Sequence, residues 1–244
     1  MTKIFGLIGY PLGHSFSKKY FTQKFADENI SDCEYQLFPI ESIDKLPEIL
    51  QANPDLAGLN VTIPYKEQVL KYLTKSELPE GLNACNCIAI NEGQLIGYNT
   101  DMVGFINSFK QHLRPHHTKA LVLGAGGAAK AVFSALNHLN IPYQLVGRRQ
   151  TEPNQILFED ITPELLQEYT VVINCTPLGT FPNIEDAPAL PYDSITSRHY
   201  FFDLVYNPEV TTFLRLAKDK GATIQNGYDM LVGQAEEAWR IWNA

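Results

Sequence analysis

Asn60, Thr62 and Lys66 stand together in the stretch "NVTIPYKE", and their types and spacing could do proton chemistry. Leu59, Val61 and Ile63 are apolar and alternate with Asn60 and Thr62, the period of a strand, so the amide and the hydroxyl share one face. Pro64 ends the ladder because it has no N–H to donate. Lys66 is predicted just past the strand end, on the first turn of a helix. An amide, a hydroxyl and an amine gathered there can orient an oxygen-rich small molecule and pass it a proton. The plainer alternative is a solvent-facing strand edge.

Other polar residues fall in comparable places. Ser15 and Ser17 in "GHSFSKK" would point the same way in an extended segment, and two hydroxyls can hold a carboxylate. Taken alone, they read more simply as the cap of the helix that follows. Asn86 lies in "NACNCIAI". Asn99, Thr100 and Asp101 lie in "GYNTDMVGF", where Asp101 opens a helix and could serve only as its cap. Tyr206 in "LVYNPEVT" is predicted at a strand end, with Asn207-Pro208 as the turn signal. Gln234 falls on the last helix, where a solvated face is the default.

The stretch with the most specific pattern is "ALVLGAGGAAKAVFSAL", from Ala120 to Leu136. It reads as a buried strand, then Gly124-x-Gly126-x-x-Ala129, then a helix, which is a dinucleotide fingerprint in its proper context. Gly124 permits the tight turn, Gly126 lets a pyrophosphate approach the backbone, and Ala129 allows close packing of helix on strand. The helix N-terminus offers N–H groups to phosphate. A tight turn with no ligand is the alternative. The following strand ends in "LVGRRQ", with Gly147, Arg148 and Arg149 where an NAD enzyme carries an acidic residue for the ribose. Two guanidinium groups suit a 2′-phosphate, which favours NADP over NAD.

These residues need elements to carry them. Strand-like and helix-like stretches alternate: "KIFGLIGY", "SFSKKYFTQKFADEN", "CEYQLFPI", "SIDKLPEILQA" with Ser42 as its cap, and "AGLNVTI". "CNCIAINEGQLIGYN" reads as a hairpin turning at Asn91–Gly93. The helix "DMVGFINSFKQHL" leads to "RPHHTK", read as a solvated hinge whose His116 and His117, with His112, are not aligned for a metal. A second series follows: "ALVLG", its helix, "YQLVG", "TVVINC", "YFFDLVY", the helix "EVTTFLRLAKDK", and "ATIQN". The final helix places Leu231, Ala235, Ala238, Trp239 and Trp242 on one face. Such alternation predicts an α/β protein of two lobes with parallel sheets.

The chain has 244 residues, 45% hydrophobic and 19% charged, enough for a substantial core. A net charge of -8 argues against a nucleic-acid or anionic-membrane surface, so any anion must find a local site. The start of the chain is too broken by Gly and Pro to read as a signal peptide, and no stretch is long enough to span a membrane. Four cysteines without a CxxC pair predict free thiols in a reducing cytoplasm and no metal site.

Together, and in this order, these motifs resemble the shikimate dehydrogenase family over nearly the whole chain. The resemblance implies an α/β fold with an N-terminal substrate domain, residues 1–101 plus 228–244, and a Rossmann-type NADP domain, residues 102–227. The C-terminal helix would return to the first lobe. It implies Lys66 and Asp101 as the catalytic pair. Ser15, Ser17, Asn60, Thr62, Asn86, Tyr206 and Gln234 would contact substrate. Gly124, Ala125, Gly126, Gly127, Ala128, Arg148, Arg149, Thr176 (in "INCTPLGT", with Asn174 and Gly179), Val205, Gly227 and Met230 would contact NADP. The implied reaction is reversible reduction of 3-dehydroshikimate to shikimate by NADPH, in aromatic amino-acid biosynthesis, by a cytoplasmic monomer or homodimer. The alternatives are a broader quinate/shikimate dehydrogenase or one using NAD, and, in another class, a non-catalytic NADP-binding sensor. The sequence departs from the family pattern at Lys18, commonly proline, at Cys87, commonly threonine, at Gly147 and Arg149 beside the arginine, and at Asp229, often a small residue.

Overall fold

A computed structural model describes residues 2–13, 15–150 and 153–244. The chain forms two compact units, Met1–Gly104 with Leu231–Ala244, and Phe105–Met230. The first holds strands β1 (Lys3–Gly9), β2 (Cys33–Pro39), β3 (Leu56–Val61), β4 (Lys75–Ser76), β5 (Cys87–Asn91) and β6 (Gln94–Tyr98), with helices α1 (Phe16–Asp27) and α2 (Leu46–Ala52). Its sheet runs β2-β1-β3-β5-β6-β4. β1 pairs in parallel with both β2 and β3, whereas β5 is antiparallel to β3 and to β6. The sheet is therefore mixed, not parallel as alternation alone predicts. The cause is the hairpin. Asn91 pairs with Gln94, and Glu92 and Gly93 both adopt positive φ, 50° and 79°, as a two-residue type I′ turn requires.

Alternate residues of this sheet face two cores. Ile8, Leu59, Val61 and Ile88 look toward α2, while Phe5, Leu7, Cys87 and Ala89 look toward α1 and the C-terminal helix α7 (Tyr228–Trp242). That side is an aromatic stack. Phe5 lies 4.8 Å from Trp242, and Phe21 lies 4.7 Å from Tyr35, centroid to centroid. The Trp242 indole donates to the Ile88 carbonyl at 3.0 Å, and Ala235 and Ala238 are buried, so α7 packs on the first sheet by its predicted face.

The second unit carries β7 (Ala120–Leu123), α4 (Gly127–His138), β8 (Tyr143–Gly147), β9 (Ile156–Leu157), α5 (Pro163–Glu168), β10 (Val171–Asn174), β11 (Tyr200–Asp203), α6 (Thr212–Lys218) and β12 (Thr223–Gln225). All pairs in its sheet, β12-β11-β10-β7-β8-β9, are parallel. β7, β10 and β11 are buried along their whole length, as strands covered on both faces must be, and each is nearly all apolar for that reason. α5 and β9 are not visible in the hydrophobic pattern, since six and two residues give no period to read. Thr162 caps α5 with Pro163 at its first position.

The chain leaves the first unit within the helix α3 (Thr100–Phe109), after Gly104, and returns within α7, after Met230. "RPHHTK" is thus not the hinge; it lies inside the second unit. Nor is it all solvated. His117 is buried, accepts from the Arg114 N–H at 3.0 Å through Nδ1, and donates from Nε2 to the Arg198 carbonyl at 3.1 Å. Burial pushes its pKa below the ordinary value, which favours the neutral ring. Among the described residues, no helix is long and apolar enough to cross a membrane.

Candidate active site

In each sheet the chain reverses its direction of winding beside the first strand. β1 lies between β2 and β3, and β7 lies between β8 and β10. Loops leaving the carboxyl ends of strands at such a point diverge and leave room for a ligand. The residues singled out above cluster at these two places.

In the first unit, Asn60 lies on β3 and Thr62 just beyond its end. Thr62 N–H donates to the Ile8 carbonyl at 3.0 Å, which fixes it beside the end of β1. Lys66 is not on a helix. It sits in the turn before a short 3₁₀ helix, Gln68–Tyr72, because Pro64 leaves too few residues for a full turn first. The Cys85 N–H holds the Lys66 carbonyl at 2.8 Å. From there Lys66 Nζ donates to Asp101 Oδ2 at 2.6 Å. The pair is half-sheltered, with 23% and 10% of the two side chains exposed, so water screens it only in part.

Asp101 is not the cap of α3. Asn99 is: its side-chain oxygen accepts from the Met102 N–H at 3.0 Å, while its amide donates to the Ala84 carbonyl at 2.7 Å. Asp101 is therefore free of capping and stands in the first turn, where the helix dipole favours a carboxylate. Asn86 adds to this anchoring. Its oxygen accepts from the Thr100 N–H at 2.6 Å, and its amide donates to Thr100 Oγ1 at 3.0 Å and to Gln234 Oε1 at 3.2 Å. With both donors engaged and only 3% of the residue exposed, Asn86 organises its neighbours. Gln234, far from a solvated default, is held by its oxygen and presents N–H donors.

Ser15 and Ser17 are not an extended pair. Ser15 caps α1, accepting from the Lys18 N–H at 3.2 Å, and Ser17 lies within the helix. The cap accounts for the local sequence, as its alternative reading held. Ser17 also hydrogen-bonds the phenol of Tyr35. Burial drives that phenol far above its ordinary pKa, and the Ser17 bond opposes the rise. The Tyr35 hydroxyl in turn donates to Asn60 Oδ1 at 2.7 Å, and the Asn60 amide donates to the Asn86 carbonyl at 3.3 Å. Ser17, Tyr35, Asn60, Asn86, Thr100 and Gln234 thus form one connected network. Tyr35 is the member that the sequence hides, because an aromatic residue in a strand reads as core. Lys18 donates to the Tyr35 carbonyl on the sheet's outer strand, a role that proline could not fill. Cys87 packs fully buried in the aromatic cluster.

In the second unit, Gly124 has φ 96°, a backbone that only glycine adopts readily, and its N–H donates to the Val146 carbonyl at 2.8 Å. A Cβ there would meet Thr176 at 2.9 Å, so the loops after β7 and β10 touch. Gly126 is the N-cap of the 12-residue α4 and offers no side-chain cap. Around Gly126 and Gly127 a Cβ would meet nothing within 4 Å. A helix start with no side-chain acceptor and open space over it fits a pyrophosphate. Ala125 and Ala128 share this exposed turn, and Ala129 is buried against the sheet. Arg148 and Arg149 are exposed just past β8.

Asp203 is the buried carboxylate that sequence reading missed here. It is fully buried at the end of β11 and accepts from Asn174 Nδ2 at 2.9 Å, the Val205 N–H at 3.0 Å and Thr211 Oγ1 at 2.6 Å. Asn174 in turn accepts from Thr176 Oγ1 at 2.6 Å. Burial raises the Asp203 pKa to about 6, against the pull of these donors. The signal was a lone carboxylate ending an apolar strand, since a buried polar group is the informative one. Val205 and Tyr206 are carried on the loop it holds, beyond the strand rather than at its end, with Tyr206 exposed. Gly227 packs on this loop so closely that a Cβ would lie 2.2 Å from the Leu204 carbonyl oxygen, and Met230 is buried in the first turn of α7.

Comparison with known proteins agrees with this geometry. The sequence profile of the shikimate dehydrogenase substrate binding domain matches residues 7–88. The shikimate dehydrogenase (NADP(+)) of Methanosphaera stadtmanae is 34% identical over 99% of this chain and 91% of its own length. The crystal structure of shikimate 5-dehydrogenase from Thermus thermophilus, in complex with NADP(H) and shikimate, superposes with a TM-score of 0.82 at 32% identity, over 99% of this chain and 93% of that one. The 5-ketofructose reductase of a Gluconobacter strain superposes with a TM-score of 0.84 at 27% identity, over 99% and 93%. With full-length likeness to the first of these at such identity, and with the profile covering the strand that bears Asn60 and the turn that bears Lys66, this chain belongs to the shikimate dehydrogenase family.

Proposed function

We propose that this chain is an NADP-dependent oxidoreductase that reduces 3-dehydroshikimate to shikimate, reversibly, within aromatic amino-acid biosynthesis. The observation that carries the reading is the Lys66–Asp101 pair, 2.6 Å apart and half-sheltered at the carboxyl end of the first sheet. In the reducing direction the Lys66 ammonium gives a proton to the carbonyl oxygen that becomes a hydroxyl, and in reverse it takes the proton back. Asp101 holds the ammonium in place. Asn60, with its oxygen fixed by Tyr35, presents an N–H donor; Gln234 presents another; Thr62 stands beside the oxygen nearest Lys66. These donors match the ring oxygens of a polyhydroxylated acid. Ser15 and Ser17 are assigned to its carboxylate, and Asn86 to a ring hydroxyl through its shared contacts. Tyr206 is assigned to substrate on its motif alone.

The substrate-binding role falls to residues 1–101 with 228–244, and the cofactor role to residues 102–227. When bound, NADPH supplies the hydride. The start of α4, with Gly124, Ala125, Gly126, Gly127 and Ala128, would hold its pyrophosphate. Arg148 and Arg149 would hold its 2′-phosphate. Thr176, Val205, Gly227 and Met230 would line the remainder.

The test is initial rates from NADPH absorbance with shikimate or quinate, each with NADP+ or NAD+, beside Lys66→Ala. Activity confined to shikimate and NADP+, with kcat lowered about 10²–10⁴-fold and KM little changed in the variant, is the expected result. Folded protein that binds NADP+ but turns over no pair would refute the catalytic reading in favour of a sensor.

A further inference from the structure

Gly147 closes β8, directly before Arg148 and Arg149, and is buried. Its backbone does not require glycine, since it is not among the positive-φ glycines. What requires it is space. A Cβ at 147 would lie 1.7 Å from Gln155 Nε2 and 3.0 Å from Gln155 Cδ, so the carboxamide of Gln155 fills the volume that a side chain at 147 would take.

Gln155 is brought there by its surroundings. It directly precedes β9, which pairs with the end of β8, Val146 with Ile156 and Gly147 with Leu157. One residue earlier, the Asn154 carbonyl accepts from the Gln144 side chain of β8. Only 4% of Gln155 is exposed, and a buried amide is costly unless it is hydrogen-bonded. Its Nε2 donates to the Arg149 carbonyl at 2.7 Å. The amide therefore bridges the strand that follows to the backbone that carries both arginines.

We propose that Gln155 is the positioning residue of the 2′-phosphate site: by filling the space over Gly147 and holding the Arg149 carbonyl, it fixes the Arg148–Arg149 backbone for recognition of a 2′-phosphorylated adenosine. The inference rests on the NADP reading above. It makes two remote positions one unit. Glycine at 147 and glutamine at 155 are chosen together, and neither touches the reacting atoms.

The test measures binding as well as turnover. Titration of the full chain with adenosine 2′,5′-bisphosphate and with 5′-AMP separates the 2′-phosphate from the rest of the nucleotide. Gln155→Ala, and Gln155→Met as a variant that keeps the bulk without the donor, should weaken the bisphosphate about tenfold. Both should leave 5′-AMP affinity, and kcat with NADP+, as in the parent. Gly147→Ala alone should weaken the bisphosphate, but added to Gln155→Ala it should cost little more, because the amide it displaces has gone and only a 3.3 Å approach to the Arg149 carbonyl remains. Equal weakening of both nucleotides, no weakening of either, or a fully additive double variant would overturn the proposal. Replacing Arg148 and Arg149 by alanine tests the underlying reading separately. If that change leaves the ratio of bisphosphate to 5′-AMP affinity intact, the arginine assignment fails whatever Gln155 does.

Discussion

Tyr35→Phe removes one hydroxyl and no volume from the core, so it probes the network without opening a cavity. In the parent, that hydroxyl donates to Asn60 Oδ1 at 2.7 Å and is hydrogen-bonded by Ser17. Without it the Asn60 oxygen, in a residue only 9% exposed, loses its donor. A buried acceptor left unsatisfied costs about 1–3 kcal/mol. Turning the amide over does not help, since its oxygen would then face the Asn86 carbonyl that its nitrogen now contacts at 3.3 Å. For a chain of this size each kcal/mol lowers Tm by about 2–4 °C, so a fall of about 2–12 °C follows. The kinetic effect should be separate in kind. Asn60 loses its fixed orientation toward substrate, worth about 1 kcal/mol or some fivefold in KM, while the Lys66–Asp101 pair is untouched and kcat holds. The assay is a double-mutant cycle on kcat/KM with Asn60→Ala, run beside thermal unfolding of all four proteins. The two substitutions should couple by about 0.5–3 kcal/mol, because each disables the other's partner. A parent-like Tm together with strictly additive kinetics would refute the idea that Tyr35 acts through Asn60.

Two further outcomes follow from single contacts. In Gly58→Ala the new methyl would sit 2.3 Å from the Trp242 indole nitrogen, which is itself tied to the Ile88 carbonyl, so neither partner yields easily. A loss of about 1–3 kcal/mol in thermal or denaturant unfolding is expected, and a parent-like transition would contradict the packing of α7 on the sheet. Asp203 binds its proton more tightly folded, at about 6, than at its ordinary 3.8, so the folded state holds more protons between these values. By linkage its contribution to stability is therefore lost as pH rises from about 4 to 6, by about 3 kcal/mol at most. Asp203→Asn should gain on the parent over that window, and a difference in Tm that stays flat from pH 4 to 7 would count against a buried, proton-linked carboxylate.

What the sequence disclosed and what it withheld divide along physical lines. The strands of the second sheet were legible because each is buried on both faces and must be apolar throughout, as "ALVL" and "VVIN" are. The glycine turn was legible because φ at Gly124 is 96°, a backbone that disfavours most other residues. The final helix was legible because its buried face keeps the helical period. Short elements such as β4, β9 and α5 were not, since a few residues carry no period. The antiparallel half of the first sheet was hidden for another reason. A hairpin signal was present at Asn91–Gly93, but where its strands insert among the others is decided by long-range pairing.

The polar residues show a deeper limit. Ser15, Asp101 and Gln234 each had a plain local explanation, and the structure accepts it for Ser15 alone. Asp101 is released from capping because Asn99 does that work, and Gln234 is drawn from solvent because Asn86 reaches it. Neither fact can be read from Asp101 or Gln234 themselves; each depends on a second residue that takes over the ordinary role. Tyr35, Asp203 and Gln155 are the same case in reverse. Each is a polar group made tolerable in the interior by hydrogen-bond partners elsewhere in the chain, 25 residues away for Tyr35, 29 for Asp203 and six for Gln155. A motif names the groups that could meet a ligand. The residues that aim those groups are set by who satisfies whom in the buried network, and that is a property of the folded chain.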